Sequence, residues 1–127
     1  MAVESYTMPR ITAVGSAGSG AGSQVSERPI SGLLLAIGVA QGNTPHANTD
    51  ITITCNFNGA VRTLLTLTNY PTTALAWFDV HELFDDTVGA AITGQYGYPP
   101  LAGFVSAAVA QGGNAATCDV TLVFLGA

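Results

Sequence analysis

The chain predicts an all-β fold: an antiparallel β-sandwich, jelly-roll-like, of about eight strands, with an extended N-terminal arm. Three observations carry that expectation. Large apolar residues recur with the two-residue period of a half-buried strand in several separate segments. No segment shows the 3.6-residue apolar spacing of a long amphipathic helix. The polar residues are those of sheets and turns, with 15 Thr, 15 Gly, 7 Ser and 6 Asn among 127 residues.

Taken in order, residues 1–28 read as the arm and 29–127 as the sandwich. Arg10–Val14 suits a short strand. The tract Gly15-Ser-Ala-Gly-Ser-Gly-Ala-Gly-Ser23 has no apolar periodicity and reads as flexible. Gln24–Ile30 permits another short strand, which Pro29 confines to an edge or an end. In Leu33–Val39, strict alternation sets Leu33, Leu35, Ile37 and Val39 on one face, with Leu34, Ala36, Gly38 and Ala40 on the other. Asp50–Cys55 turns Ile51, Ile53 and Cys55 inward and Thr52 and Thr54 outward. Val61–Thr68 places Val61, Leu65 and Leu67 inward, with Arg62, Leu64, Thr66 and Thr68 outward. Val105, Ala107 and Val109 alternate in the same way. The series closes with Val120, Leu122 and Phe124, beside which Val123 and Leu125 make the last strand apolar on both faces. A strand of that kind points to contact with a second subunit or with the arm. Between them, Asp79–Asp86 reads as a helical turn or a loop, and Ala90–Thr93 as a short strand.

Two stretches resemble each other. Gly32-Leu-Leu-Leu-Ala-Ile-Gly-Val-Ala-Gln-Gly-Asn43 parallels Gly103-Phe-Val-Ser-Ala-Ala-Val-Ala-Gln-Gly-Gly-Asn114, and each leads to an Asp-(Ile/Val)-Thr-(Ile/Leu) strand, at Asp50 and Asp119. Two copies are too few for a repeat protein. They predict two equivalent hairpins in a two-sheet fold with related halves.

Composition excludes several functions. With 48% hydrophobic and 9% charged residues, the chain lacks the balance of a disordered protein. The net charge is −5, and Arg10, Arg28 and Arg62 are the only Lys or Arg, so neither nucleic acid nor an anionic membrane is an expected partner. Leu33–Ala40, the longest apolar stretch, is interrupted by Gly38 and is too short to span a bilayer. The first ten residues lack a basic start followed by an apolar run, which predicts synthesis in the cytoplasm without a secretory leader. Cys55 and Cys118 match no metal or redox spacing and read as two buried thiols in preference to a disulfide, although single cysteines in two strands could face each other.

Catalytic candidates are few. His46 could pair with Asp50 as a base, but no Ser or Cys motif accompanies it, and it reads as an exposed loop histidine. His81 lies among Asp79, Glu82, Asp85 and Asp86; that spacing fits neither a calcium loop nor a zinc helix, so capping and solvation are the expected roles. No catalytic residue, cofactor or metal is assigned, and the chain reads as non-enzymatic. Trp77, Tyr96 and Tyr98 could form an aromatic ligand site or an interface. For Trp77, a core anchor is the preferred role.

Together Ile30–Ile37, Thr49–Thr54, Thr63–Asn69, Ala76-Trp-Phe78, Asp86–Thr93 and Val105–Ala110 resemble small virion proteins of tailed bacteriophages, some of which decorate heads as cement proteins. The resemblance covers about residues 24–125. It implies a homo-oligomer, dimer or trimer, made in the host cytoplasm and bound to the capsid outer surface, where it bridges major capsid protein subunits. Where that family commonly carries a basic residue after the Trp–aromatic pair, this chain is acidic over 79–86, so no contact residue is carried over. Arg10 and Arg28, the arm's only cations, are the candidates for capsid carboxylates. The alternative is a carbohydrate-binding or other receptor-type β-sandwich module of a phage tail or fibre.

Overall fold

Alternating strands build two antiparallel sheets with one apolar core between them. The computed structural model describes residues 2–57, 59–80, 82–85 and 91–126, with 82–85 and 91–96 defined by their backbone. Among the described residues twelve strands are formed: β1 (Val3–Thr7), β2 (Ile11–Thr12), β3 (Gly20–Val25), β4 (Ile30–Gly42), β5 (Asp50–Phe57), β6 (Ala60–Leu67), β7 (Ala76–Asp79), β8 (Glu82–Asp85), β9 (Ala91–Gly97), β10 (Pro100–Gly103), β11 (Val105–Gly112) and β12 (Thr117–Gly126). The first sheet runs β1-β12-β4-β10, with β2 also on β12 and β7 on β4. The second runs β3-β11-β5-β6, and β8 and β9 form a separate ribbon. The all-β antiparallel expectation holds. The strand number rises above eight because several strands are only two to four residues long, below the length at which periodicity is legible.

The core is built from both sheets. Leu34, Ile37, Val39, Val120, Leu122 and Phe124 of the first meet Ile51, Ile53, Cys55, Val105, Ala107 and Val109 of the second, all buried. Buried polar side chains are few and paired. Ser26 Oγ donates to the Arg28 carbonyl and accepts the Val105 N–H, while Gln41 Nε2 donates to the Tyr70 and Thr72 carbonyls.

The two similar stretches are not hairpins. β4 leads from the first sheet across to β5 in the second, and β11 leads from the second back to β12 in the first. They are arches, and they exchange partners: β4 pairs β12, and β11 pairs β5. The registers correspond position by position. Ile37↔Leu122, Gly38↔Thr121 and Val39↔Val120 in one sheet match Ala107↔Ile53, Ala108↔Thr52 and Val109↔Ile51 in the other. Even the glycines correspond. A Cβ on Gly32 would collide with the Leu125 carbonyl, and one on Gly103 with the Asn56 carbonyl, at equivalent places in the two halves. A local pattern of strand, loop and strand cannot distinguish a hairpin from an arch, because both faces alternate alike.

Two bulges overturn parts of the inward and outward assignment. The β4–β12 register shifts between Val123 and Phe124, so Leu34 and Ala36 face consecutive residues and Leu35 is extra. Leu34, not Leu33 or Leu35, therefore joins Ile37 and Val39 in the core. On β6, a shift leaves Leu64 extra, since Ile53 pairs Leu65 and Thr54 pairs Thr63. Val61, expected inside, is 69% exposed, and Arg62 takes the place across from Cys55.

The N-terminal segment is not a separate arm. β1 and β2 pair with β12, β3 pairs with β11, and Met8, Ile11 and Ala13 lie in the core. The Gly-rich tract is the crossing between the sheets. Val14 and Ala21 bridge at its ends, and Gly15 and Gly18 adopt left-handed backbone conformations within it. A Cβ on Gly22 would sit 2.6 Å from the Thr12 carbonyl, and one on Gly20 2.7 Å from the Gly113 carbonyl. The glycines thus permit backbone to pack on backbone, where composition alone suggested flexibility. The helical turn considered at 79–86 is replaced, over Glu82–Asp85, by strand β8.

Candidate functional site

The outward faces of the two sheets can be compared at equivalent positions. On the second sheet the outward row is Thr66↔Thr52↔Ala108↔Ser23, followed by Thr63↔Thr54↔Ser106↔Val25. Six of these eight side chains carry a hydroxyl and none is charged; Ala108 and Val25, the latter 51% exposed, are apolar. On the first sheet the outward row Val3↔Leu125↔Leu33↔Pro100 crosses four strands. Ser5↔Val123↔Ala36↔Asp79 and Thr7↔Thr121↔Gly38↔Trp77 lie beside it. Where the second sheet carries Thr54, Asn56 and Ser23, the first carries Val123, Leu125 and Trp77.

Trp77 is not a core anchor. It is 51% exposed, on the short strand β7. Its ring covers Gly38, where a Cβ would lie 2.7 Å from Cζ3 and 2.9 Å from Cη2. Glycine at 38 leaves the bare backbone on which the indole rests, with its other surface toward solvent. Phe78, the next residue, turns inward and meets Tyr70 edge-on, at 5.9 Å between ring centroids. An apolar residue on each side of a strand misled the assignment of Trp77, because the smaller ring takes the interior. Tyr98 is exposed, whereas Tyr96 lies where only the backbone of β9 is described.

The two arginines are engaged within the chain. Arg10 donates from Nε and Nη2 to both carboxylate oxygens of Asp119, at 3.0 and 2.8 Å. The hydrogen bond and charge of Asp119 raise the guanidinium pKa further. Arg28 lies over the Tyr6 ring, and the Tyr6 hydroxyl accepts the Glu27 N–H. Both remain exposed, but neither projects from a loose arm.

A cavity of about 470 Å³ opens where the β2–β3 tract and the two arch loops converge, lined by Ala17, Asn43, Thr44, Pro45, His46, Ala47, Gly113 and Asn114. The two arch loops are similar in sequence, but nothing in that similarity signals that they meet. His46 does not pair with Asp50. Its Nδ1 accepts the Asn48 N–H, while Asp50 Oδ1 accepts the Asn69 N–H. Among the described residues, no group of three or more His, Cys, Asp or Glu is arranged to hold a metal ion. His81 and Asp86 lie outside the described residues, as do the side chains of Glu82 and Asp85. Cys55 and Cys118 are buried free thiols. Burial, and secondarily the neighbouring Asp119 charge, push the Cys118 thiol up to about 12.

No family model matches the chain, and no curated protein matches it. Among solved structures, a point mutant of a carbohydrate binding module of family 29 is similar over 96% of this chain and 79% of that one, with 11% identity and a TM-score of 0.47.

Proposed function

We propose that the chain is a structural virion protein that decorates a phage capsid, docking through the outward face of the sheet that contains β12 and β4. The observation that carries this reading is the internal comparison of the two faces. The fold places Thr, Asn and Ser at one set of positions and Val, Leu and Trp at their counterparts. The pairing register itself does not dictate the second set, because the other sheet keeps the equivalent register with the first. Exposed Val3 and Trp77 beside half-buried Val123 and Leu125, flanked by neutral hydroxyl groups, suit burial against protein, since few charges must be desolvated. The partner is the major capsid protein, and contact through this face replaces the arm and its arginines.

The test exchanges one face for the other. Val123→Thr, Leu125→Asn and Trp77→Ser install the residues of the second sheet at equivalent places. The triple variant is expected to fold and to lose co-sedimentation with phage heads assembled from major capsid protein, which the wild type binds. Undiminished binding would remove the face from the reading. Failure of the wild type to bind such heads would remove the capsid itself.

A second reading is favoured by the indole alone. A half-exposed indole resting over Gly38 offers an aromatic surface for stacking on a sugar, as in a carbohydrate-binding module of a tail or fibre. A glycan array probed with wild type and Trp77→Ala separates the two readings, because only this one expects a sugar signal that depends on Trp77.

A further inference from the structure

The loop-end cavity is remote in character from either sheet face, and Trp77 is not among the residues that line it. We propose that this cavity is a binding site for a neutral, hydroxyl-rich ligand of saccharide class, held by Asn43, Thr44, His46 and Asn114.

Its construction is the first ground. Three segments distant in sequence meet here and are fastened to one another. Gly18 N–H donates to the Gly112 carbonyl, Asn43 Nδ2 donates to the Ala115 carbonyl, and Thr44 presses its carbonyl toward Gly113, where a Cβ would stand only 2.6 Å away. Non-glycine residues with positive φ concentrate at this end: Asn43 at 54°, Thr44 at 58°, Gln111 at 53° and Ala115 at 60°. Such a conformation is unfavourable for a β-branched residue such as Thr44 and persists only where the surroundings hold it. The cavity is therefore a shaped feature of the loops.

Its chemistry sets the ligand class. The lining contains two amides, a hydroxyl and an imidazole, and no Asp, Glu, Lys or Arg. An ionised ligand would enter without a counter-charge and lose hydration it could not recover. Amides and hydroxyls both donate and accept, as do the vicinal hydroxyls of a sugar. Ala17, Pro45 and Ala47 supply a small apolar wall for the C–H face of a pyranose. At about 470 Å³ the space lies within the range of roughly 300–1,000 Å³ typical of small-molecule sites.

His46 gives the site a fixed donor. Because Nδ1 accepts the Asn48 N–H at 3.1 Å, the neutral ring carries its proton on Nε2. The ring also packs beside Gly18, where a Cβ would lie 3.4 Å from Nε2. The loop beneath is pinned, since Thr49 Oγ1 and Thr49 N–H both donate to the His46 carbonyl.

The experiment is an amide-resolved NMR titration of the full chain with glucose, galactose, mannose, N-acetylglucosamine and cellobiose. Glucosamine, glucuronate and inorganic phosphate serve as charged controls. At least one neutral sugar is expected to shift the amides of Thr44, His46, Gly113 and Asn114 saturably. Asn114→Ala, at an exposed position, should weaken that binding about fivefold, and His46→Ala at least as much, the scale of one lost hydrogen bond. Trp77→Ala should leave it unchanged. The proposal is overturned if no neutral sugar shifts these amides, if the shifts centre on Trp77 and vanish in Trp77→Ala, or if a charged control binds here as tightly. Capsid docking can fail or stand independently of every one of these outcomes.

Discussion

The two arches share a register and use it differently. Gln41 and Gln111 hold the same place at the ends of β4 and β11. Gln41 is buried and donates to two carbonyls of the 70–72 segment, whereas Gln111 is exposed with a left-handed backbone. Thr49, bonded to the His46 carbonyl, corresponds to Cys118, which is buried without that role. Asp50 receives the Asn69 N–H, and its counterpart Asp119 receives Arg10. Cys55 corresponds to Phe124, so the arch ending in β12 brings the larger volume to the core. The alternation that faces the core is shared, and the individuality of each half lies in loop ends and outward residues.

The largest expected effect follows from the Cys55–Phe124 difference. Phe124→Ala removes a ring that is 1% exposed between the sheets and should cost about 3–5 kcal/mol in urea denaturation. Cys55→Ala, at the equivalent place, removes one small group and should cost about 1 kcal/mol. Equal costs would mean that the two halves pack the core symmetrically despite their different volumes.

Alkaline pH should reveal the next difference, through Cys118. Its thiol titrates at about 12 in the folded chain, against an ordinary value of 9.0. Between these values the unfolded chain has released the proton and the folded chain has kept it. Stability is therefore intact below about pH 9 and falls as pH rises through that window, by up to about 1.4 kcal/mol per unit. Cys118→Ala should flatten this part of the stability profile.

Gln41 and Gln111 come third. Gln41→Leu leaves the Tyr70 and Thr72 carbonyls without their side-chain donor and should cost about 1–3 kcal/mol. Gln111→Leu removes no such bond and should change the denaturation midpoint far less. A matching loss would show that the second loop carries a comparable anchor.

These contrasts also explain what could be read in advance. The all-β fold was legible because Asp50–Cys55, Val105–Val109 and Val120–Phe124 alternate without interruption. Parity failed where one residue was inserted, at Leu35 and at Leu64, because a bulge reverses the faces on one side of itself and leaves no mark in composition. The glycine tract was misread for a related reason: close backbone approach and chain flexibility call for the same residue. Trp77 was misplaced because its exposure depends on Gly38, which is distant in sequence and adjacent only through pairing. The cavity was illegible as a site, although both of its Asn-bearing loops had been matched, since their meeting depends on arches rather than hairpins.

The smallest effect tests the two aspartates. The Arg10–Asp119 pair is close, but the Arg10 side chain is 63% exposed and solvent screens it. Arg10→Ala should therefore move stability less than any substitution above, and less still at high salt. Asp119→Asn differs from it in one respect. The Asp119 charge also raises the pKa of the Cys118 thiol, secondary to burial. Neutralising it should bring the folded thiol's titration to lower pH and narrow the alkaline window, an effect that Arg10→Ala cannot produce. Asp50→Asn keeps an oxygen to accept the Asn69 N–H and sits beside no buried thiol, so its alkaline profile should match the wild type. If Asp119→Asn and Asp50→Asn gave identical profiles above pH 9, burial alone would set the thiol, and the two halves would be electrostatically equivalent there.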